Sequence, residues 1–93
     1  MDFSMNQQNN TILMEHQTKQ MTDAIVERLV AYRKELHITQ QDIADQTGIK
    51  RANIARLESK KHAITLDSLM KYAKCLNMEI SLDLKQSNEA TTI

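Results

Sequence analysis

The spacing of apolar side chains after Thr22 predicts a run of short helices. Thr22, followed by Asp23, is a suitable N-cap for a first helix. The apolar positions that follow share one helical face: Ile25, Val26, Leu29, Val30 and Leu36. His37 and Ile38 interrupt this pattern, so the first helix is expected to end there.

A capping box predicts a second, shorter helix. Thr39 and Asp42 have the spacing at which each side chain accepts a hydrogen bond from the other residue's backbone N–H. We expect this helix to reach about residue 46, with Ile43 and Ala44 facing inward. Gly48 is the only glycine of the chain, and it follows where a left-handed backbone turn is needed.

Two further helices are predicted beyond this turn. The third should run from about Arg51 to Ser59, with Ile54 and Leu57 on its inner face. Thr65 is the expected N-cap of the fourth. Its apolar residues recur at intervals of three and four: Leu66, Leu69, Met70, Ala73 and Leu76.

Residues 78–85 alternate apolar and polar side chains, which is the period of a half-buried strand. The polar residues 86–93 offer no hairpin partner, and a lone strand is unstable. We therefore expect two copies of the chain to pair their strands across a two-fold axis. The apolar members of this dimer contact would be Met78, Ile80, Leu82 and Leu84. Pairing with residues 11–14 is the alternative.

Length and composition limit the chain to one small domain. With 93 residues it can build a single core, and 3% aromatic residues, one glycine and no proline favour packed helices. The predicted fold is all-α, a bundle of four to five helices at 18–77 with the C-terminal strand at 78–85. Residues 1–17 and 86–93 are predicted to be flexible tails.

Several classes of function are not supported. The single cysteine, Cys75, cannot form an intramolecular disulfide, and no apolar run approaches the length of a membrane span. The three histidines, His16, His37 and His62, have no acidic partner at motif spacing and no zinc-ligand pattern. We expect a cytoplasmic protein without cofactor, metal or catalytic activity.

The formal net charge of zero conceals a basic cluster. Between Lys50 and Lys61 there are five basic residues and one acidic residue, Glu58. The rest of the chain is correspondingly acidic. Because phosphate binding is largely electrostatic, this distribution matters more than the sum.

Residues 39–58 resemble the XRE type of helix-turn-helix, the family of the phage lambda and 434 repressors. The shared features are Gln40 at the second position of helix two, the Ile43–Ala44 pair, Gly48 in the turn, Ile54 and Leu57 in helix three, and Arg33 seven residues before Gln40. The resemblance extends over residues 22–76 in a consistent order of helices. It implies that the third helix enters the major groove of double-stranded DNA.

The start of the third helix supplies side chains that can donate to base edges or contact a thymine methyl group. The candidate base readers are Lys50, Arg51, Ala52, Asn53 and Arg56, and Arg51 is the principal one. The alternative is that they form only a solvated basic face. Candidate phosphate contacts are Gln40, Gln41, Lys60 and Lys61.

Arg33 and Glu58 are predicted to have a structural role. The resemblance implies that Arg33 and Glu58 form an ion pair between helices one and three, beneath the DNA-binding surface. Lys50 departs from the family, because many relatives have Ser or Thr before helix three. A lysine side chain cannot accept hydrogen bonds from the free N–H groups of the helix.

The terminal strand gives the chain a further resemblance to bacterial antitoxins of the HipB and HigA kinds. That resemblance implies a dimeric repressor of its own operon that also binds a toxin protein. The alternative is a stand-alone phage or restriction-system regulator with no toxin partner. The sequence does not identify the operator, a toxin or a small-molecule effector.

Overall fold

The computed structural model describes residues 3–86, with side chains from residue 11 onward, and contains four helices in that part. They are α1 (Phe3–Glu35), α2 (Gln40–Thr47), α3 (Arg51–Ser59) and α4 (Leu66–Cys75). Helix α2 packs against α3 and α4, and α1 packs against the same two helices. The predicted all-α bundle is confirmed. Residues 1–2 and 87–93 of the predicted tails lie outside the described residues.

Helix α1 begins far earlier than predicted. Residues 3–17 were expected to be a flexible tail, and they are helical. Thr22, the expected N-cap, lies inside the helix and its hydroxyl donates to the carbonyl oxygen of Thr18 at 3.0 Å. The physical reason is that no glycine or proline interrupts this stretch, so nothing stops the helix from extending. The molecule is consequently elongated, at 54 × 25 × 21 Å.

The capping signals of α2 and α4 act as predicted. The Thr39 hydroxyl accepts from the N–H of Asp42, and the Asp42 carboxylate accepts from the N–H of Thr39. Gly48 ends α2 in the left-handed conformation, with φ of 76°. A Cβ atom at this residue would meet nothing within 4 Å, so the turn needs glycine for its backbone angle and not for space. Thr65 caps α4 by accepting from the N–H of Ser68.

Helices α1 and α4 end in the same way, with a left-handed residue after the last turn. His37 and Asn77 both have φ of 57°. After α1, the N–H of Ile38 bonds to the carbonyl of Arg33, five residues earlier, at 3.0 Å. The N–H of Met78 bonds to Ala73 in the same pattern at 2.9 Å. These Schellman motifs satisfy carbonyl groups that the helix ends would otherwise leave without a donor.

The core lies where the four helices meet. Its buried apolar residues are Val26, Leu29, Ile43, Ala44, Ile54, Leu57, Leu69, Tyr72, Ala73 and Leu76. Three residues predicted on inner faces are substantially exposed, namely Leu36, Leu66 and Met70. Tyr72 takes a place that the apolar pattern did not assign, because the inner face of α4 is formed by residues 69, 72, 73 and 76.

The predicted strand at 78–85 is not present in the single chain, and no described residue forms a strand. A strand requires a hydrogen-bonding partner, and residues 11–14, the alternative partner, belong to α1. The four apolar residues of the segment nevertheless lie in two environments. Met78 and Ile80 pack against the core, whereas Leu82 is 61% exposed and Leu84 is 97% exposed.

Candidate nucleic-acid interface

The outer face of α3 brings the five predicted base readers together on one exposed surface. Ile54 and Leu57 are buried and anchor the helix to the core. Lys50, Arg51, Ala52 and Asn53 are exposed at its N-terminal end, and Arg56 is exposed in its last turn. The amphipathic pattern of α3 therefore fixes which side chains face outward.

The N-terminus of α3 has no side-chain cap. Lys50 occupies the N-cap position and makes no capping hydrogen bond through its side chain. Its carbonyl oxygen accepts from the N–H groups of Asn53 and Ile54, at 2.8 and 3.1 Å. Because Lys50 replaces the Ser or Thr of many relatives, the first N–H groups of the helix remain free to bind solvent or an anion.

Glu58 is the centre of a polar network beneath the α3 surface. Arg33 donates to both of its carboxylate oxygens, from Nε to Oε2 at 2.8 Å and from Nη2 to Oε1 at 3.0 Å. The hydroxyl of Tyr72 donates to Oε2 at 2.6 Å, and Gln40 Nε2 donates to Oε1 at 3.0 Å. This arrangement, hereafter the Glu58 network, links all four helices through side chains.

Burial and hydrogen bonding compete in setting the pKa values of the network. Burial alone would raise the pKa of Glu58, but the hydrogen bonds from Arg33, Tyr72 and Gln40 outweigh it and hold the pKa below its usual value. Burial would lower the pKa of Arg33, and Glu58 raises it overall. Burial and the neighbouring carboxylate together raise the pKa of Tyr72. The network therefore holds Glu58 ionised and Tyr72 neutral.

The Glu58 network also determines the charge of the outer surface. Glu58 is the only acidic residue of α3, and its side chain is 10% exposed and paired with Arg33. Within the described part of the chain, Lys50, Arg51 and Lys61 form no ion pair, so their charges face solvent uncompensated. The surface of α3 is therefore positive in a protein of zero net charge.

The four candidate phosphate ligands lie in different settings. Lys61 is exposed and unpaired within the described chain. Gln40 is held by Glu58, and Gln41 Nε2 donates to Asp45 Oδ1 at 2.8 Å. Lys60 Nζ lies 2.6 Å from Glu27 Oε1 on α1, and this hydrogen bond raises the pKa of Lys60. A phosphate would compete with Glu27 for Lys60.

Three residues make contacts at or beneath this surface that the sequence does not predict. Tyr72 joins the Glu58 network, and its spacing of three residues from Leu69 was the available signal. Lys19 Nζ donates to the carbonyl oxygen of Lys60 at 2.7 Å, at the left-handed C-terminus of α3. His62 Nδ1 lies 3.4 Å from Arg56 Nη2. Local sequence gave no signal for the latter two contacts.

An open groove of about 670 Å³ runs beside α3 and is bordered by Lys50, Asn53, Arg56 and His62. Its polar side chains are donors or cations, as a surface for an anionic polymer requires. Among the described residues, no group of three or more His, Cys, Asp or Glu side chains could hold a metal ion. None of the helices in that part of the chain is long and apolar enough to cross a membrane.

Comparison with known families agrees with this geometry. The helix-turn-helix family HTH_3 matches residues 29–82, which contain the end of α1, the helices α2 to α4 and the start of the C-terminal segment. Comparisons with curated proteins and with solved structures find no match. The match covers more than half of the chain and includes the turn at Gly48. The chain therefore belongs to the XRE-type, lambda repressor-like helix-turn-helix family of DNA-binding transcriptional regulators.

Proposed function

We propose that this protein is a sequence-specific repressor that binds a palindromic operator as a homodimer and inserts α3 into the major groove. The observation that carries the proposal is the composition of the α3 surface. Three cations and an asparagine face outward, while the only carboxylate of the helix is withdrawn into the Glu58 network. In a dimer, the two α3 helices would occupy major grooves about 34–36 Å apart. Binding at the protein's own promoter would exclude polymerase.

Arg51 is the principal base reader in this proposal. It lies in the first turn of α3, is exposed, and has no ion-pair partner within the described residues. A guanidinium group in that position can donate two hydrogen bonds to guanine O6 and N7, which is worth about 1–3 kcal/mol of discrimination. Ala52 suits a thymine methyl group, and Lys50, Asn53 and Arg56 complete the reading surface.

Phosphate contacts would fix the orientation of the dimer on the duplex. Lys61 is the candidate with the fewest competing contacts, since Lys60 is paired with Glu27 and Gln41 is bonded to Asp45. The Glu58 network holds the Gln40 amide at the start of α2. This pre-ordering favours a role for Gln40 as a phosphate ligand.

The proposed dimer uses the C-terminal segment, residues 78–85. Leu82 and Leu84 are exposed, and Met78 and Ile80 attach the segment to the core. Pairing with the same segment of a second copy would satisfy the backbone groups and cover both leucines. Leu82→Glu should therefore shift the protein toward monomer in sedimentation and weaken operator binding.

Fluorescence anisotropy at near-physiological salt tests the central claim. The protein should bind its own upstream DNA about a thousandfold or more tightly than a scrambled duplex. Arg51→Ala should reduce this preference, whereas the control Lys61→Ala should weaken both duplexes alike. Equal losses on both duplexes for Arg51→Ala would contradict its role as a reader. Equal, weak binding of the wild type would contradict sequence-specific regulation.

A second candidate function is inhibition of a toxin protein. The observation that favours it is the alternating C-terminal segment, which resembles that of the antitoxins, although a single chain does not form the strand. Coexpression with the product of the adjacent gene tests it directly. An antitoxin should relieve the growth arrest caused by that product and copurify with it. Normal growth on expression of the neighbour alone would favour a stand-alone regulator.

A further inference from the structure

One side of α1 carries an apolar row that the other described elements leave largely uncovered. We call Met14, Met21, Ile25 and Tyr32 the α1 stripe. At 100° per residue these four positions fall within an arc of about 40°, and they extend over about 27 Å. Met14 and Met21 are 65% and 70% exposed, Tyr32 is 36% exposed, and Ile25 is partly buried.

The α1 stripe adjoins the C-terminal segment. A groove of about 190 Å³ separates the two and is lined by Ile25, Arg28, Leu29 and Tyr32 on one side and by residues 78–81 on the other. The exposed Leu82 and Leu84 follow directly along the chain. Apolar residues of the stripe and of the segment therefore face each other across one groove.

We propose that the α1 stripe packs antiparallel against the α1 stripe of a second copy, about a two-fold axis that passes the helix near residue 23. Met14 would then face Tyr32 of the second copy, and Met21 would face Ile25. The first of these pairs brings a thioether against an aromatic ring, which is a favourable contact. The inference rests on the proposed homodimer and assigns it an additional interface.

The spacing of the stripe favours a second copy as its occupant. Met14 and Tyr32 each lie nine residues from position 23, and Met21 and Ile25 each lie two residues from it. An antiparallel α1 of a second copy, related by a two-fold axis at that point, places its apolar residues against those of the first. A two-fold interface requires this self-complementarity.

Interface size gives a second argument. A stable interface buries roughly 800 Å² on each partner and uses about 20–30 residues a side. The eight-residue C-terminal segment is too short to supply this, and the α1 stripe adds the missing surface. Measured along α1, the groove residues 25–32 lie within about 14 Å of the proposed two-fold axis. A single axis can therefore bring both α1 and the C-terminal segment against the same elements of the second copy.

Analytical ultracentrifugation of Met21→Glu tests the proposal, with Gln20→Glu as the matched control. Both residues are exposed in the single chain and the added charge is the same, but Gln20 lies outside the stripe. Met21→Glu should raise the dimer dissociation constant about tenfold or more, which corresponds to about 1.4 kcal/mol. Gln20→Glu should leave it unchanged. Both variants should retain wild-type helicity by circular dichroism.

Cross-linking gives an independent readout. In a Cys75→Ser background, Met21→Cys should yield a covalent dimer with a short bis-maleimide, because the two residues 21 lie close to the axis. His16→Cys is the control, since it is exposed on the opposite side of α1. No cross-link at residue 21, or equal yields for both variants, would overturn the antiparallel arrangement.

The outcomes separate this inference from the proposed function. If Leu82→Glu dissociates the dimer while Met21→Glu does not, the α1 interface is wrong and the dimeric repressor stands. If the wild type is monomeric on its operator, both the dimer and the α1 interface are wrong. If the wild type binds its operator no more tightly than a scrambled duplex, the proposed function is wrong, whatever the effect of Met21→Glu on the dimer.

Discussion

The two halves of α1 have the same secondary structure and opposite environments. In the C-terminal half, Val26 and Leu29 are buried in the core and Arg33 is buried in the Glu58 network. In the N-terminal half, every side chain from residue 11 to residue 21 is exposed. The helix continues through both because nothing interrupts it, whereas burial depends on an apolar face. Helix formation and packing into the domain are thus governed by different features of the sequence.

Removing Glu58 should have the largest effect, because Glu58 binds Arg33 in the C-terminal half of α1, which we call the packed half. Glu58→Ala leaves the buried guanidinium of Arg33 without its partner, and we expect the free energy of unfolding to fall by about 3–5 kcal/mol. Urea denaturation followed by circular dichroism measures this loss. The matched change in the exposed half, Glu15→Ala, should have little effect. A loss below about 1 kcal/mol for Glu58→Ala would mean that the network contributes little to stability.

A pair of proline substitutions compares the two halves directly. Ala31→Pro removes a helix hydrogen bond within the packed half and should cost about 3 kcal/mol or more. Gln17→Pro makes the same backbone change where no side chain of the single chain is buried. In a monomeric background such as Leu82→Glu, only the local helix should therefore be lost, with a cost to the domain below about 1 kcal/mol. Thermal unfolding measures both. Equal destabilisation would show that the N-terminal half is part of the cooperative unit.

Acid should destabilise the packed half through Glu58. The pKa of Glu58 is lower in the folded state than its ordinary value of 4.5, so the ionised carboxylate stabilises the fold. This contribution is complete above pH 4.5 and is lost as the pH falls through the lowered pKa. The pKa of Asp42 is also lowered, by hydrogen bonds from Thr39, and its contribution is lost at lower pH, as the pH falls below its ordinary value of 3.8. Stability measured against pH should therefore fall less steeply for Glu58→Ala than for the wild type.

The smallest of these effects concerns the start of α3. Lys50→Ser supplies the side-chain acceptor that the N-cap lacks and should stabilise the fold by about 1 kcal/mol. The same change removes a cation from the proposed DNA surface, so operator affinity should decrease and its salt dependence should become weaker. Anisotropy titrations at two salt concentrations measure this. Unchanged affinity would place Lys50 outside the contact.

The features that the sequence predicted correctly depend on short-range signals. The capping box of Thr39 and Asp42, the glycine turn at 48 and the cap at Thr65 each require only neighbouring residues. The pairing of Arg33 with Glu58 is the exception, because it spans 25 residues and is predicted by the family resemblance alone. The roles of Arg51 and the other candidate DNA contacts stay predictions.

Some of the features that the sequence did not predict depend on distant partners. Tyr72 is buried because its hydroxyl meets Glu58 and Arg33, which lie 14 and 39 residues away in the chain. The extension of α1 has no apolar periodicity that could be matched to the core. The alternation at 78–85 predicts a strand, but no described residue forms one, and only the first two apolar residues of the segment, Met78 and Ile80, pack inward.

The turn at Gly48 constrains the handedness of the residue there and nothing else. Since a Cβ atom would meet no neighbour, an L-residue is penalised only for its positive φ. A D-amino acid prefers that same region of backbone space. Total chemical synthesis of the chain with D-alanine at position 48 should therefore yield a protein that is more stable by about 0.4–1 kcal/mol, because the unfolded chain loses conformational freedom. The mirror-image residue would keep the turn, and with it the orientation of α3.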